Sequence, residues 1–329
     1  MEILITGGAG YIGSVVGEHL QTLGYPLVVI DDLRDGKKEA VPDCATFYEA
    51  NFSDEHILDT IFTTHNITSV IHLAASANVP DSVIHPLPYY QNNVTGTIAL
   101  LKKMKQYNVK SILFSSTAAV YGIPVNNTIT ETDILKPVNP YGWSKLFDEQ
   151  IIMDTAAAHG LEYIIFRYFC AAGATAKNGE SRGYESHLIP LVIDTALGKR
   201  DEIKVFGNQF PTPDGTGVRD YIHVSDIARA HELALNARLN SSIHANGKLT
   251  NQIFNLGTNA GYSVLQIIEE TQKVLGQKVN FTIVNERPGD PPSLIALAHK
   301  AKEQLGWEPT YNLQDIITSV YAWRNNPRY

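Results

Sequence analysis

Tyr141 and Lys145 stand four residues apart in Pro140-Tyr141-Gly142-Trp143-Ser144-Lys145, a stretch that opens a helix. At that spacing two side chains lie one above the other on one helix face. A free phenol ionises near ~10 and is a poor base at neutral pH. An ammonium beside it favours the phenolate, so the Tyr141 pKa is expected to fall and Tyr141 to serve as general base for a hydroxyl proton. Phe114-Ser115-Ser116-Thr117 ends a strand, and the Thr117 hydroxyl can bond both a substrate hydroxyl and the Tyr141 oxygen. Alone, such a Tyr/Lys pair is usually a solvated helix face and Ser-Ser-Thr a turn. A second constellation reverses that weighting. Gly7, Gly10 and Gly13 follow the apolar run Ile3-Leu4-Ile5 and precede a helical stretch through Leu20. Strand, glycine turn and helix suit a dinucleotide pyrophosphate, because the backbone approaches the phosphates and the helix N-terminus points amide hydrogens at them. Asp31 ends the next apolar run, close to the roughly 20-residue distance at which an acid takes the adenosine ribose hydroxyls. Its charge, with that of Asp32, repels a 2′-phosphate and favours NAD over NADP. Arg34 is the nearby group of opposite tendency.

The elements that must position these residues alternate. Strands are expected at Glu2–Thr6, Leu27–Ile30, Ser69–Leu73, Ser111–Ser115 and Tyr163–Arg167. Helices are expected at Gly13–Leu23, Asn93–Tyr107 and Ser144–His159, the last stopped by Gly160. Fully apolar strands alternating with helices predict an α/β fold, a doubly wound, Rossmann-like parallel sheet covered on both faces. The Ser144–His159 helix is expected to pack through Phe147, Ile151 and Ala158, leaving the Tyr/Lys face free. After Phe169 the loops lengthen and gain Gly, Pro, Asn and Asp. Helices at Leu188–Ala196, Ser225–Arg238 and Val264–Leu275 then alternate with short strands. This reads as a dinucleotide-binding domain over 1–169, with a segment near 219–257 (Gln252–Leu256 among it) returning to it, and a smaller α/β domain over 170–329.

Composition narrows the function. A net charge of −8 over 329 residues argues against a nucleic-acid partner. The two cysteines, Cys44 and Cys170, form neither a disulfide framework nor a zinc spacing. No apolar run approaches the ~18 residues of a membrane helix. A first strand starting at residue 2 leaves no place for a leader. A cytoplasmic, metal-free protein without a membrane partner is the expectation.

These residues resemble the extended short-chain dehydrogenase/reductase family, and within it the epimerases of UDP-sugars. The likeness runs through Thr6–Gly13, His72–Ala75, Tyr89–Gly96, Phe114–Tyr121, Pro140–Lys145, Arg167–Phe169, Phe206–Gly207 and Asp214–Val224, and on to Arg287 and Asp290. Its most specific stretch is Gly215-Thr216-Gly217-Val218-Arg219-Asp220-Tyr221-Ile222-His223-Val224. The resemblance implies that Tyr141 takes the proton of the sugar 4-hydroxyl while hydride passes from C4 to NAD. The 4-keto sugar then presents its other face, and both are returned. It implies cofactor contacts from Tyr11, Ile12, Asn51, Phe52, Leu73, Ala74, Ala75, Asn92, Ser115 and Tyr168, besides the glycines, Asp31, Asp32, Tyr141 and Lys145. Lys145 would also hold the nicotinamide ribose. It implies substrate contacts from Thr117, Tyr141, Cys170, His187, Leu188, Val205, Phe206, Arg219, Tyr221, Arg287, Asp290 and Leu294. Arg219 would pair with the diphosphate, Phe206 would lie against the uracil, and Arg287 and Asp290 would hold the nucleotide. The family is usually homodimeric, pairing the Asn93–Tyr107 and Ser144–His159 helices.

The chain departs from the family pattern in places. Cys170 stands where an asparagine commonly faces the sugar, Asn51 where an aspartate meets the adenine amino group, Ala77 where some members carry a lysine, and His187 where some carry an asparagine. Leu294 aligns with a position that gates N-acetylated sugars and, being intermediate in bulk, favours the non-acetylated pair UDP-galactose and UDP-glucose. UDP-N-acetylglucosamine, UDP-xylose and UDP-glucuronate are the alternatives. Ala118-Ala119 argue against a dehydratase, which needs an Asp-Glu pair there. The presence of Thr117, Tyr141 and Lys145 argues against a non-catalytic NAD sensor. His72 and His223 are read as structural.

Overall fold

The computed structural model describes residues 2–183, 185–239, 249–287 and 289–329. Seven parallel strands form the central sheet, in the order Gln252–Leu256, Glu162–Tyr168, Ser111–Thr117, Ile67–His72, Glu2–Thr6, Leu27–Asp31 and Thr46–Glu49. Successive side chains alternate between the two faces. Ile3 and Ile5 pack with Val15, Val16 and Leu20 of the Tyr11–Thr22 helix and with the Val224–Leu239 helix. Leu4 instead joins Leu58, Leu100, Met104 and Ile152 of the helices on the opposite face. Burial on both faces is why these strands read as continuous apolar runs. From Glu2–Thr6 the chain winds outward through Leu27–Asp31 to Thr46–Glu49, then crosses back to Ile67–His72 and winds the other way. The crevice between the carboxyl ends of Glu2–Thr6 and Ile67–His72 is therefore the switch point at which such sheets bind ligands.

Several elements differ from expectation. The Thr46–Glu49 strand and the Glu55–Thr64 helix, capped by Asp54, were not anticipated. The strand is an edge strand whose residues are partly exposed, so it lacks the apolar signature of its neighbours. The helix expected over Asn93–Tyr107 begins as a π-helical turn at Tyr90–Thr95 and becomes α-helical only at Gly96–Gln106. The wider turn turns Asn93 inward, where its amide bonds Ser76 N and O and the Ser144 hydroxyl. Finally, the Pro140–His159 helix buries the other face from the one expected. Phe147 is 43% exposed, Ala158 is exposed and Ile151 is half-buried, whereas Lys145, Asp148, Glu149, Ile152 and Ala156 are buried. Buried polar partners on the sheet outweigh the apolar pattern of this helix.

The helices Leu188–Ala196, Val264–Leu275 and Leu313–Asn325 enclose the strand Ile203–Phe206 in a second core built around Val192, Ile193, Val205, Ile267 and Ile317. Gln252–Leu256 pairs with Glu162–Tyr168, and Val224–Leu239 packs on Tyr11–Thr22, so late segments of the chain complete the first layers. Residues 240–248 of the segment expected to return lie outside the described residues. Asp220 and Asp226 pin these crossings. Asp220 accepts hydrogen bonds from Thr258 N, Thr258 Oγ1 and Ala296 N, and Asp226 from Thr310 N, Thr310 Oγ1 and Tyr311 N. Among the described residues no helix is long and apolar enough to cross a membrane.

Candidate active site

The glycine loop joins Glu2–Thr6 to the helix Tyr11–Thr22 at the switch point. Gly7 sits at φ +72, and a Cβ there would lie 2.6 Å from Ala74 N. A Cβ on Gly13 would lie 2.1 Å from Gly7 O, so helix and loop touch only because that position is bare. Gly10 is different. Its missing Cβ would meet nothing closer than Gly7 O at 3.4 Å, so the protein leaves room there, and Gly10 lines the cleft. Close approach of a ligand is the remaining reason for glycine at that position. No side chain caps the helix that Gly10 opens, and no acid stands in its first turn. Its first amides thus face the cleft with their partial positive charge unanswered, as a pyrophosphate requires.

Asp31 lies at the adjoining strand end, accepting Ala9 N at 3.0 Å and Leu33 N at 2.9 Å. Burial raises its pKa against those two amides, and Asp32 and Asp35 add to the rise. Asp32 holds Arg34 at 2.7 Å and accepts Asn51 Nδ2 at 3.0 Å. Arg34 is therefore already paired, and the patch keeps the acidic character that disfavours a 2′-phosphate. The Asn51 oxygen accepts from Ser53 N and Ser53 Oγ. An adenine amino group would have to share or displace the Ser53 hydroxyl there.

At the carboxyl end of Ser111–Thr117, Lys145 Nζ donates to Ser115 O at 2.8 Å and lies 4.6 Å from the Phe114 ring centre. Tyr141 is hydrogen-bonded by Thr117. The expected fall in the Tyr141 pKa does not come from the protein's own groups. Burial raises it and Asp148 adds to the rise, while Thr117 and Arg182 oppose. The Lys145 ammonium is drawn to Ser115 O, two strand residues short of Thr117, and does not contribute to the shift of the phenol. Tyr168 is fixed from behind. His231 Nδ1 faces the Ile227 carbonyl, which can only accept, so Nε2 accepts the Tyr168 hydroxyl at 2.9 Å. Buried His72 bonds Thr6 Oγ1 and Thr97 Oγ1, and burial with the nearby Lys145 lowers its pKa to about 3. His223 stacks on Tyr311 and is lowered to about 4 by burial. Neither ring is held as the charged imidazolium at neutral pH, in keeping with structural roles.

The far wall comes from the second core. Arg287 lies over the Phe206 ring, 4.6 Å from its centre, and its Nε meets Asp290 at 2.9 Å. Burial pushes the Cys170 thiol up to about 11 against the pull of Arg219. His187 Nδ1 meets Glu180 at 2.7 Å. Burial disfavours its charged ring, but the Glu180 charge and hydrogen bond outweigh burial and raise its pKa. Every site residue named from the sequence lines one continuous cleft of about 1570 Å³, except Val205 and Leu294. Val205 is 0% exposed in the second core, because strand alternation sends its neighbour Phe206 to the cleft instead. Leu294 packs with Ala118, Tyr121 and Phe169 behind the cleft wall. The reading of the sequence missed Arg182, Glu180, Glu185 and Asp148. Arg182 and Glu180 meet at 3.0 Å beside His187, and no periodicity marks such loop residues in advance. A cleft this size exceeds the roughly 300–1,000 Å³ of a single-ligand pocket.

A parallel sheet with a glycine-loop switch point, and a Thr, Tyr and Lys around one strand end, defines a nicotinamide-dinucleotide enzyme with room for a second nucleotide. The match over residues 3–257 is to the NAD dependent epimerase/dehydratase family, and the chain belongs to it. It is 46% identical to a UDP-glucose 4-epimerase of Halalkalibacterium halodurans over 98% of this chain and 95% of that one. A UDP-glucose 4-epimerase of Brucella ovis, solved in complex with NAD, superposes with a TM-score of 0.91 at 40% identity, covering 97% of both chains. The one from Bifidobacterium longum, solved with NAD+ and UDP, gives 0.92 at 36% identity, covering 99% of both.

Proposed function

We infer that this enzyme interconverts UDP-galactose and UDP-glucose at C4, as an NAD-dependent isomerase. The observation that carries the reading is the single cleft in which an uncapped, glycine-opened helix N-terminus and the Thr117–Tyr141 pair face Arg219, Phe206 and Arg287. NAD, when bound, supplies a hydride acceptor whose positive ring also favours a neighbouring phenolate. The glycine loop and the Tyr11–Thr22 helix hold its pyrophosphate, Asp31 a ribose, and Lys145 the nicotinamide ribose. Tyr141 takes the 4-hydroxyl proton and later gives it back, with Thr117 holding both oxygens in line. Arg219 meets the diphosphate with a fork of donors. Phe206 and Arg287, already stacked, form a planar wall for the uracil. We assign cofactor binding to residues 1–169 with the strand and helix that return to them, and the UDP-sugar to the remainder of 170–329.

The reading carries a homodimer, through the outward face of Pro140–His159 and Gly96–Gln106, and a cytoplasmic setting, in which Cys44 and Cys170 stay as free thiols. Purified protein given UDP-galactose and no added cofactor should form UDP-glucose. No conversion, even with NAD added, would remove the assignment. Tyr141→Phe should cost at least the roughly 10²-fold typical of losing a general base. Unchanged turnover in that variant would take the role from Tyr141.

A further inference from the structure

One buried charge is unused by the chemistry above. Asp148 lies one helical turn beyond Lys145, is 1% exposed, and neither of its carboxylate oxygens has a hydrogen-bond partner. The nearest hydroxyl, that of Thr97, bonds His72 at 2.9 Å and bears on Asp148 as well, a neutral group that leaves the carboxylate's charge without a counter-charge. Lys145, 2% exposed, is in turn a buried ammonium whose one protein hydrogen bond in the described structure is to Ser115 O. A buried charge without a counter-charge is lost by neutralisation. Two carboxylates are near enough to serve. Glu149 is committed: Arg167 grips it through Nε at 3.0 Å and a terminal nitrogen at 2.7 Å, and Ser116 donates to it as well. From the strands beneath, His72 is neutral and Arg167 is spent on Glu149, and Tyr141 is a phenol. Asp148 is the one uncommitted charge facing Lys145 among the described residues.

We propose that Asp148 is a positioning residue whose sole task is to keep Lys145 an ammonium, so that its remaining N–H donors stay available to the cofactor ribose. Burial pushes Lys145 down, Asp148 and Glu149 push it back, and burial pushes Asp148 up while Lys145 opposes. A well-packed amide or aliphatic group in that place would escape the desolvation that a carboxylate suffers, so a carboxylate there needs a reason, and Lys145 supplies it. The proposal rests on the reading of Lys145 as the residue that holds the nicotinamide ribose.

The test compares Asp148→Asn and Asp148→Val with the unaltered enzyme. Both remove the charge at near-constant volume, so if one fails to fold the other serves. Lysines labelled with 13C at Cε report their own titration by NMR, and the Lys145 signal is the one missing in Lys145→Arg. In either variant the Lys145 midpoint should fall by about one pH unit or more. The alkaline decline of kcat should move down with it, while KM for UDP-galactose stays within about twofold. An unmoved Lys145 midpoint in a folded variant would overturn the proposal and leave Asp148 a packing residue. Lack of epimerisation by the unaltered enzyme would strike the catalytic reading instead, and the titration would still decide on Asp148.

Discussion

Gly10 and Gly13 lie three residues apart and answer to different neighbours. An alanine at 13 would drive its methyl to 2.1 Å from Gly7 O, backbone against backbone, where nothing flexible can yield. An alanine at 10 would meet only Gly7 O at 3.4 Å, and its methyl would stand in the cleft. Gly13→Ala should therefore lower the unfolding free energy, read from urea denaturation, by the roughly 1–3 kcal/mol of an overpacked position or more. Gly10→Ala should unfold with the unaltered protein yet purify with little NAD, read from the absorbance of released nucleotide. Equal NAD content in Gly10→Ala would mean that the pyrophosphate does not approach this loop. His187 carries a second residue-scale expectation. Its pKa is raised in the fold, so the charge it would offer a diphosphate under the proposed function is complete below its unperturbed value and is lost as pH rises through the raised one. KM for the UDP-sugar should accordingly climb on that alkaline side, and His187→Gln should flatten the climb.

The Pro140–His159 helix is where sequence and structure diverge most usefully. Its N-terminus lies behind an Asn139 cap at Pro140, four residues ahead of the expected Ser144, whereas its C-terminal end was legible, since Gly160 stops it in the left-handed region. So were the central strands, because burial on both faces leaves an unbroken apolar run. The buried face of the helix was not legible. Phe147 and Ile151 look like core, but the helix docks through Glu149 onto Arg167 and Ser116, partners on strands that local pattern cannot bring together. The same limit hid the pairing of Val218–Arg219 with Ser293–Ala296, and so hid that Leu294 lies behind the cleft wall. Two measurements follow from the docking. Glu149→Gln strips Arg167 of its buried counter-charge and should cost about 3–5 kcal/mol, read by chemical denaturation. Asp148 should act in the opposite sense. Burial raises its pKa while Lys145 opposes, so the folded protein holds that proton more tightly than the unfolded chain. Stability from this group is then greatest at low pH and is lost as pH rises above about 4, the unperturbed value, through the raised one. Asp148→Asn should match the unaltered protein near pH 4 and exceed it at pH 8. Equal stability at pH 8 would mean that the carboxylate is not desolvated in the fold.

Seen as a whole, the chain buries a polar helix face and leaves an apolar one outside. Phe147 packs at a tilt against Trp143, ring centres 5.6 Å apart, and against Tyr90 at 6.1 Å, on the outer side of the first core. Leu87, 77% exposed, extends the surface, and Ile98 stands on the neighbouring helix. An outward apolar face spread over adjacent helices is stabilised by meeting its like across a two-fold axis, since each residue then buries area worth roughly 25 cal/mol per Å². The same helix thus explains both faces: its inner side is committed to holding Lys145 and Glu149, so its apolar side is free for a second copy. Light scattering should give twice the chain mass for the unaltered protein. Phe147→Lys combined with Ile98→Lys should give a monomer that still binds NAD, because neither residue lines the cleft. A monomeric unaltered protein would leave that apolar face without its partner and end the dimer reading. A double variant that stays dimeric would place the contact on another surface.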